Sequence, residues 1–554
     1  MTDHVILLNK MAAPTRLLAF AVFVASFCGI HCVYHSASVY CQYEKCTYKM
    51  DVLDVKGATA YGIYNDTLES TGWGILNISA GRGGNSAENV DIMYAAGYLE
   101  AILTQKRIYQ HYLNLNDYFQ GKFQNDTKWI DAVKSFFLEQ DLYMRRMIRN
   151  NAPTNPYWRH VAYIVAQYDG LIAGYGAVAP ADMTLDVYAF QMLNGNGDML
   201  DMLSAVKPDS LPDFTKMSKE EITSYIAQNG RCSALVKVLG AYEDVFMSHS
   251  SWFIYQATMR IYKHYNFNVD DPDTATQRMS FSSYPGFLES LDDFYLMSSG
   301  LVMLQTTNNV FNASLYKLVT PQALLAWHRV RLANMMAHGG KEWAKIFAEN
   351  NSGTYNNQYM IVDLKQIELQ KAIHDDALWV VEQIPGLVEY ADTTPILRTG
   401  YWPSYNVPFF ERIYNLSGYP DFAEEHGTDF TYQLAPRAKI FRRDAGKVTD
   451  FTSMKNIMRY NDYTEDPYSE DDSCNTICCR GDLRESSPGP FGCYDTKVSS
   501  YAMATNLQAD VINGPTLGTR LQPFQWTDAY KQSHVGLPGT YDFPFLRTQP
   551  LPSP

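Results

Sequence analysis

The chain has little positive charge and no strongly biased composition. Among its 554 residues, Asp and Glu number 59 against 45 Lys and Arg, so the formal net charge is −14. Nucleic-acid binding needs positive charge concentrated against phosphates, and we therefore expect no nucleic-acid partner. Hydrophobic residues make up 46% of the chain and charged residues 19%. This balance excludes disordered, collagen-like and coiled-coil proteins.

The chain also lacks an apolar run of membrane-spanning length. The apolar run at residues 17–30 is shorter than the roughly 20 residues that a membrane span needs. Lys10 and Arg16 precede this run and small residues lie near its end, an order typical of a secretory signal peptide. We expect residues 1–32 to be a signal peptide and the mature protein to be soluble and lumenal. An uncleaved signal anchor is the alternative.

Six sequons agree with the secretory route. Each fits Asn-x-Ser/Thr without proline, and we expect glycans at several of them: Asn65, Asn77, Asn125, Asn312, Asn350 and Asn415.

Cysteine is scarce and unevenly placed. Cys28 and Cys32 lie in the expected signal segment, and Cys232 stands alone in mid-chain. In an oxidising compartment clustered cysteines pair, whereas an isolated one stays a free thiol. We therefore expect disulfides within the terminal clusters, with a metal knuckle as the less favoured alternative for the second. The clustered residues are Cys41, Cys46, Cys474, Cys478, Cys479 and Cys493.

Apolar residues at helical spacing predict several helices. The pattern favours helices over residues 89–115, 129–149 and 158–173, and further helix within 321–351. Residues 193–217 combine an Asn-Gly-Asn-Gly run with two prolines, so we expect neither helix nor strand there.

Alternating residues predict strands in the middle of the chain. Residues 232–239 and 245–252, joined by a turn, predict a β-hairpin with Cys232 at its start. Further strands are expected around Trp73 and within 280–307, 358–368, 377–384 and 437–443. Strands flanked by helices on both sides predict a layered α+β core.

Familiar catalytic signatures are absent. The sequence has no Gly-x-Ser-x-Gly and no His-Glu-x-x-His, and its 12 His are scattered, so we expect neither a metal centre nor a cofactor. Cys232 is placed as an N-terminal nucleophile would be once the Arg231–Cys232 bond is cut. The freed α-amine, with a pKa of about 7.7–8.0, can act as a general base for the thiol. The alternative is a buried structural cysteine.

Several long blocks, in order, resemble the phospholipase B-like family, and its first animal branch more than its second. They cover nearly the whole mature chain and include Arg231-Cys-Ser-Ala-Leu-Val-Lys-Val-Leu239, Ser248-His-Ser-Ser-Trp252, Met259-Arg-Ile-Tyr-Lys-His264, Ser283-Tyr-Pro-Gly-Phe-Leu-Glu-Ser-Leu-Asp-Asp293, Thr306-Thr-Asn-Asn-Val-Phe-Asn312, Trp327-His-Arg-Val-Arg-Leu-Ala-Asn-Met-Met336, Phe409-Phe-Glu-Arg-Ile-Tyr-Asn-Leu-Ser-Gly418, Pro436-Arg-Ala-Lys-Ile-Phe-Arg-Arg443 and Tyr494-Asp-Thr-Lys-Val498.

The resemblance implies a lysosomal or secreted N-terminal nucleophile hydrolase with a four-layer αββα fold that cuts itself before the cysteine. It implies an N-terminal chain over residues 33–231 that packs on the core and is retained, and a catalytic chain over 232–554. No cofactor is implied.

The resemblance also implies site residues. Cys232 matches the nucleophile, and His249 and Trp252 match pocket positions on the second hairpin strand. Asn415 matches an oxyanion donor, although a glycan there would compete with this role. Thr306 or Thr307 matches a pocket threonine, and Arg443, preferred over Arg442, completes the set. His249 and Arg443 have the alternative of purely structural roles.

The implied activity is deacylation of phospholipids, with transient contact to a membrane surface. Hydrolysis of amides in N-acyl lipids or acyl-amino compounds is the first alternative. The second, from another class, is a protein that cuts itself once and afterwards only binds lipid.

Overall fold

Two β-sheets form the centre of the molecule. The structure is a computed structural model that describes residues 33–82, 87–124, 126–208 and 211–552. The expected signal peptide, with Cys28 and Cys32, and the sequon at Asn125 lie outside the described residues. The strands are β1 (Val33–Gln42), β2 (Lys45–Met50), β3 (Ala60–Thr67), β4 (Trp73–Ala80), β5 (Arg231–Val238), β6 (Val245–Ile254), β7 (Arg260–Phe267), β8 (Arg278–Ser283), β9 (Phe294–Met297), β10 (Leu301–Thr307), β11 (Asn357–Asp363), β12 (Ile367–Glu368), β13 (Ala372–Ile373), β14 (Leu378–Ile384), β15 (Leu387–Asp392), β16 (Tyr401–Ser404), β17 (Phe491–Cys493), β18 (Asp495–Ser500), β19 (Ala509–Asn513), β20 (Phe524–Gln525), β21 (Thr540–Tyr541) and β22 (Leu546–Thr548).

Helices flank the sheets and also form part of the N-terminal region. The α-helices are α1 (Leu68–Thr71), α2 (Asn89–Phe123), α3 (Thr127–Asn151), α4 (Pro156–Val178), α5 (Val187–Asn194), α6 (Asn196–Val206), α7 (Lys219–Gln228), α8 (Ala326–Met336), α9 (Gly340–Ala348), α10 (Thr394–Leu397), α11 (Glu411–Leu416), α12 (Tyr419–His426), α13 (Pro436–Asp444), α14 (Phe451–Met458) and α15 (Tyr501–Thr505). In the part of the chain that the structure describes, no helix combines the length and apolarity needed to span a bilayer.

The strand order defines the two sheets. The first sheet runs β15-β14-β11-β10-β9-β8-β7-β4-β3-β1-β2, and the second runs β16-β5-β6-β18-β19-β22 with β17 paired to β6. Most neighbours are antiparallel, but β4 pairs with β7 in parallel. Strands β1–β4 precede the predicted cleavage point, so the N-terminal chain contributes strands to the same sheet as the C-terminal chain.

The hydrophobic cores show four layers. Residues such as Val236 and Met247 of the second sheet pack against Tyr262 and Leu304 of the first, which places a core between the sheets. The outer face of the first sheet packs against α2, α8 and α9. The outer face of the second sheet packs against α13 and α14. The order is therefore helix, sheet, sheet, helix, and the expected αββα fold is confirmed.

Most of the predicted elements are confirmed. The helices predicted from residues 89, 129 and 158 are α2, α3 and α4, and the predicted hairpin is β5–β6. The disulfides Cys41–Cys46, Cys474–Cys479 and Cys478–Cys493 lie within the clusters, and Cys232 is free and buried.

Two predictions about local structure are wrong. Residues 193–217 contain α6, because Gly197 serves close packing and not a turn: a Cβ there would lie 2.6 Å from the Tyr355 ring. Residues 437–443 form α13 instead of a strand. Pro436 at its first turn favours helix initiation, and Ile440 and Phe441 bury one helical face.

We expect the N-terminal chain to stay bound if the chain is cut before Cys232. The parallel β4–β7 pairing and the packing of α2 on the first sheet join the two parts through backbone hydrogen bonds and buried apolar surface. Size-exclusion chromatography of cut protein should give one peak in native buffer, with two fragments on a denaturing gel. Elution of separate fragments in native buffer would contradict this.

Candidate active site

Cys232 is the second residue of β5 and lies on the face of the second sheet that packs toward the first. Its register partner on β6 is Ser251. Side chains alternate along a strand, so Ala234 shares its face, as does His249 on β6. The thiol is buried, with the residue 5% exposed. The hairpin thus carries a free thiol into the space between the sheets.

Asn406 and Arg437 hold the backbone of Cys232. The Cys232 N–H donates to Asn406 Oδ1 at 3.2 Å, and the Cys232 carbonyl accepts from Arg437 Nη1. Arg437 Nη2 also donates to Asn406 Oδ1 at 2.7 Å, and Asn406 Nδ2 donates to the Thr307 carbonyl. With two donors on one side and a carbonyl on the other, the amide of Asn406 can be oriented in only one way.

Asn406 lies in the left-handed region, with φ of 67°. Asparagine tolerates this conformation better than most residues. The loop that follows β16 can therefore turn sharply enough for the Asn406 side chain to reach the Cys232 N–H.

The thiol opens into a cleft with very little free space. The cavity volume is about 30 Å³, room for one or two water molecules. Its walls include residues of α6 and Gly230, so the N-terminal chain covers the thiol. The lining residues are Asn196, Gly197, Leu200, Gly230, Cys232, Ser251, Trp252, Phe253, Leu291, Asp292, Thr307, Tyr355 and Tyr494.

A buried charge network lies below the cleft. Asp292 pairs with Lys497 at 2.6 Å and with Arg260 at 2.9 Å, and Asp495 pairs with the same two cations at 2.7 and 3.0 Å. Burial acts to raise the pKa of Asp292, but Arg260 and Lys497 hold it well below its usual range. Lys497 Nζ also donates to Ser251 Oγ at 2.6 Å, which connects the network to the cleft wall.

His249 lies behind Ser251 in this network. Its Nδ1 is 3.5 Å from Ser251 Oγ. Burial, together with the nearby Lys497 ammonium, lowers the pKa of His249 well below its ordinary value, so the imidazole is neutral. The ligand atoms of His249, Asp292 and Asp495 lie within 4.8 Å of one another, but Lys497 and Arg260 already neutralise the two carboxylates. The set is therefore not suited to a metal ion.

Burial governs the protonation of the nucleophile candidate. It raises the pKa of the Cys232 thiol to about 12, against the lowering effects of the Trp252 backbone N–H and Lys497. The thiol is protonated in the uncut chain.

Arg437 is a buried cation beside the thiol. Its described donor contacts go to the Cys232 and Tyr405 carbonyls, the Ser233 hydroxyl and Asn406, and none of these partners is a carboxylate. Its guanidinium carbon lies 4.5 Å from the centre of the Trp252 ring. Burial, and then the charge of Arg231, lower the pKa of Arg437 well below its usual value.

Of the three residues predicted to line the pocket, Trp252 and Thr307 line this cleft and Thr306 does not. Thr306 Oγ1 lies 2.6 Å from Ser404 Oγ on the opposite face of β10. Trp252 packs against the C-terminal disulfide cluster, in a hydrophobic group with Cys474 and Cys493. The disulfides thus support the wall of the cleft.

The structure does not bring Asn415 or Arg443 to Cys232, and these two placements need correction. Asn415 is exposed on α11. Arg443 lies on the last turn of α13 and pairs with Asp444 at 2.6 Å and Asp466 at 2.8 Å. The side chains that contact Cys232 are instead Asn406 and Arg437. Asn406 binds the Cys232 N–H through its amide oxygen, so it does not supply the oxyanion donor expected of Asn415.

The difference at Arg443 has a local cause. In a strand, residues 437 and 443 would share one face, whereas in a helix six residues turn through about 600° and point them apart. Pro436 and the apolar pair at 440 and 441 are the signals that identify α13 as a helix. No comparable pattern in the sequence distinguishes Asn406 from other asparagines, or Asp292 and Lys497 from other charged residues.

The sequons differ in exposure. Asn415 is exposed, which suits a glycan better than a buried catalytic role. The side chains of the other described sequons are partly buried: Asn65, Asn77, Asn312 and Asn350.

The fold and the site together define an αββα protein with a buried cysteine at the start of its central hairpin. A family model described as Phospholipase B matches residues 60–548. The chain therefore belongs to the phospholipase B family, a family of hydrolases, and the resemblance seen in the sequence is confirmed.

Relatives across animals and amoebae agree. The chain is 50% identical over 502 residues to phospholipase B-like 1 of Rattus norvegicus, covering 90% of this chain and 89% of the relative. It is 50% identical over 520 residues to phospholipase-B 81 of Drysdalia coronoides, covering 93% of each. It is 35% identical over 513 residues to phospholipase B-like protein A of Dictyostelium discoideum, covering 88% and 87%. Among solved structures, a mutant conjugated bile acid hydrolase from Clostridium perfringens aligns with 56% of this chain and 97% of its own, at 14% identity and a TM-score of 0.26.

We expect Cys232 of the uncut protein to resist alkylation at neutral pH. Because burial raises the thiol pKa from 9.0 to about 12, its thiolate fraction is about 1,000-fold lower than that of an ordinary cysteine. Iodoacetamide labelling followed by peptide mapping should find Cys232 unmodified in native protein and modified after denaturation. Rapid labelling of the native uncut chain would contradict the buried, protonated state.

Proposed function

We propose that this protein is an acyl hydrolase that cuts its own Arg231–Cys232 bond and then deacylates phospholipids through Cys232. The observation that carries the proposal is the hold on the Cys232 peptide: a free thiol, with the backbone N–H on Asn406 and the carbonyl on Arg437. The phospholipid substrate comes from the names of its relatives.

The first step opens the chain. Cys232 Sγ attacks the Arg231 carbonyl carbon, the C–N bond to Cys232 breaks, and the leaving nitrogen takes up the thiol proton. Water then hydrolyses the thioester, leaving a carboxylate on Arg231 and a free amine and thiol on Cys232. Asn406 Oδ1, which accepts from this nitrogen, positions it throughout. Gly230, with φ of 90°, gives the preceding backbone a conformation that other residues rarely adopt.

The second step uses the new amine. The amine accepts the thiol proton, and Asn406 Oδ1 holds it beside Sγ. The thiolate attacks the ester carbonyl, the alcohol leaves with a proton, and water hydrolyses the acyl-enzyme. The Trp252 backbone N–H, which already lies against the thiol, donates to the developing oxyanion. Such a donor contributes roughly 2.7–4 kcal/mol when it is supplied by a side chain.

The buried charge network holds the cleft wall in position and sets the electrostatic potential at that wall. Lys497 lies between Ser251 and the two carboxylates, so its ammonium holds Ser251 across from the thiol. His249, neutral and behind Ser251, acts as a positioning residue in this scheme. Removal of the α6 and Gly230 cover must enlarge the cleft before an acyl chain can enter, since about 30 Å³ is free in the uncut chain.

The disulfides and sequons support a lumenal site of action. Disulfides persist in oxidising compartments, and three are present among the described residues. We therefore propose the lysosome lumen or the secreted space.

Amide hydrolysis is the second candidate. The first bond that this machinery would open is a peptide bond, so an N-acyl lipid or acyl-amino compound is chemically within its reach. Turnover of an ester and an amide that carry the same acyl chain separates the two candidates.

Intact-mass analysis and N-terminal sequencing at acidic pH test the self-cleavage. We expect a fragment that begins Cys232-Ser-Ala-Leu in the wild type and an uncut chain for Cys232→Ala. Acyl substrates are then assayed on the cut form. Cleavage at the same bond in Cys232→Ala would show that another protease makes the cut. A cut protein that binds lipid with no turnover would favour the lipid-binding alternative.

Matched pairs of variants test the corrected site. Asn406→Ala and Arg437→Met each remove a charge-assisted or buried hydrogen bond worth roughly 1.5–3 kcal/mol, so we expect self-cleavage about 10- to 100-fold slower. Asn415→Ala and Arg443→Met should cleave at the wild-type rate, since both residues lie away from the thiol. The measurement is the rate at which the fragment beginning at Cys232 appears. Asn415→Ala cleaving as slowly as Asn406→Ala, or Arg443→Met as slowly as Arg437→Met, would overturn the assignment.

A further inference from the structure

A second cleft lies beside the active-site cleft and has much more room. Its volume is about 640 Å³, within the range of small-molecule sites. Residues of α2, of the end of α7 and of the C-terminal region form its walls. They are Asp117, Tyr118, Gly121, Lys122, Gln228, Ile254, Gln256, Pro488, Gly489, Pro490, Phe491, Lys531 and Gln532.

The two clefts share a wall. Tyr118 lines the second cleft and packs edge-on against Phe253, which lines the first, with ring centres 5.2 Å apart. Along β6, Ile254 in the second cleft is three residues from Ser251 in the first, a distance of about 10 Å. Gln228 lines the second cleft and Gly230 lines the first, so displacement of this segment would connect the two clefts for a single extended ligand.

Lys122 is a cation of this cleft whose described partners are uncharged. Its Nζ donates to Asn229 Oδ1 at 2.6 Å and lies 5.3 and 5.4 Å from the ring centres of Tyr118 and Tyr225. Within the described chain no carboxylate forms an ion pair with it, and burial lowers its pKa to about 8. Asp117, the carboxylate of the cleft, is engaged by Gln256 Nε2 at 2.9 Å and by the Ser533 N–H at 3.0 Å.

The contacts that occupy Lys122 come from the segment before the scissile bond. Asn229 is three residues from Cys232, so their Cα atoms are at most about 11 Å apart. The Tyr118 hydroxyl is occupied by the same segment, since it donates to the Gln228 carbonyl at 3.1 Å. Cleavage after Arg231 leaves Gln228 and Asn229 near a new chain end. Their departure would free an ammonium and a hydroxyl that both face the cleft.

We propose that Lys122 and Tyr118 form a phosphate-binding subsite of the cut enzyme, which holds the phosphodiester of a glycerophospholipid while its acyl ester lies at Cys232. This inference rests on the proposed function. An ammonium and a hydroxyl are suitable donors to phosphate oxygens, and the unpaired charge of Lys122 gains the counter-ion that it lacks in the uncut chain. The subsite forms only when the chain is cut.

Kinetics on the cut enzyme test the subsite. The substrates are a phospholipid and an uncharged monoacylglycerol with the same acyl chain, in the same mixed micelles. We expect Lys122→Met to lower kcat/KM for the phospholipid by about 10- to 100-fold, the loss of one charge-assisted contact, mainly through KM. Turnover of the monoacylglycerol should be unchanged. Lys122→Arg should keep most of the phospholipid activity.

Lys134→Met is the matched control. Lys134 also packs on an aromatic ring, with Nζ 4.8 Å from the centre of Tyr188, but it does not line either cleft. It should leave both activities at the wild-type level. An equal loss on both substrates for Lys122→Met, or no loss on either, would overturn the proposal.

Isothermal titration calorimetry measures ligand binding to the subsite without relying on turnover. Glycerophosphocholine and inorganic phosphate are titrated into cut wild type, cut Lys122→Met and uncut Cys232→Ala. We expect glycerophosphocholine to bind only the cut wild type. Inorganic phosphate binding of equal or greater strength would assign the site to the free ion, and binding to uncut Cys232→Ala would remove the dependence on cleavage; either result overturns the proposal.

The two measurements separate this inference from the proposed function. Binding of glycerophosphocholine through Lys122 in a protein that hydrolyses nothing supports the subsite and contradicts the enzyme. Hydrolysis of phospholipid that is indifferent to Lys122 supports the enzyme and contradicts the subsite.

Discussion

The site depends on the hydrogen bonds by which Asn406 and Arg437 fix the backbone of Cys232. One amide oxygen accepts from both the Cys232 N–H and the Arg437 guanidinium, so the strand start, the β16 loop and α13 are fixed relative to one another. Loss of Asn406 would take the acceptor from the buried Cys232 N–H, and loss of Arg437 would take a donor from the Cys232 carbonyl. A buried polar group left unpaired costs more than the hydrogen bond contributes. The same oxygen can hold the amine that cleavage would release. One contact thus serves both proposed stages.

Buried charged side chains surround the Cys232 thiol. Asp292 and Asp495 share the cations Lys497 and Arg260 below the cleft, so this part of the network is balanced. Arg437 and Lys122, in contrast, are cations whose described partners are uncharged. Lys122 binds Asn229 and Arg437 binds the Cys232 carbonyl, so these two cations lie on either side of the proposed cleavage point along the chain.

Residues 33–231 form one continuous segment of the sequence but have two structural roles. Strands β1–β4 extend the first sheet and belong to the permanent core. Residues of α6 and the stretch at 228–230 instead cover the thiol and occupy Lys122. The first role favours retention of this segment after the proposed cleavage, and the second requires part of it to move before the proposed substrate can enter.

The hairpin, the long N-terminal helices, the disulfide clusters and the isolation of Cys232 could be predicted from local patterns, because each depends on spacing within a short stretch. Long blocks of the sequence also indicated the family and, through it, the fold. The contacts of Cys232 with Asn406 and Arg437, rather than with Asn415 and Arg443, could be seen only in the folded chain. These partners are 174 and 205 residues away in the chain, and the choice depends on α13 being a helix and on how it packs against the second sheet. Contacts between such distant residues arise from packing, which has no local signature.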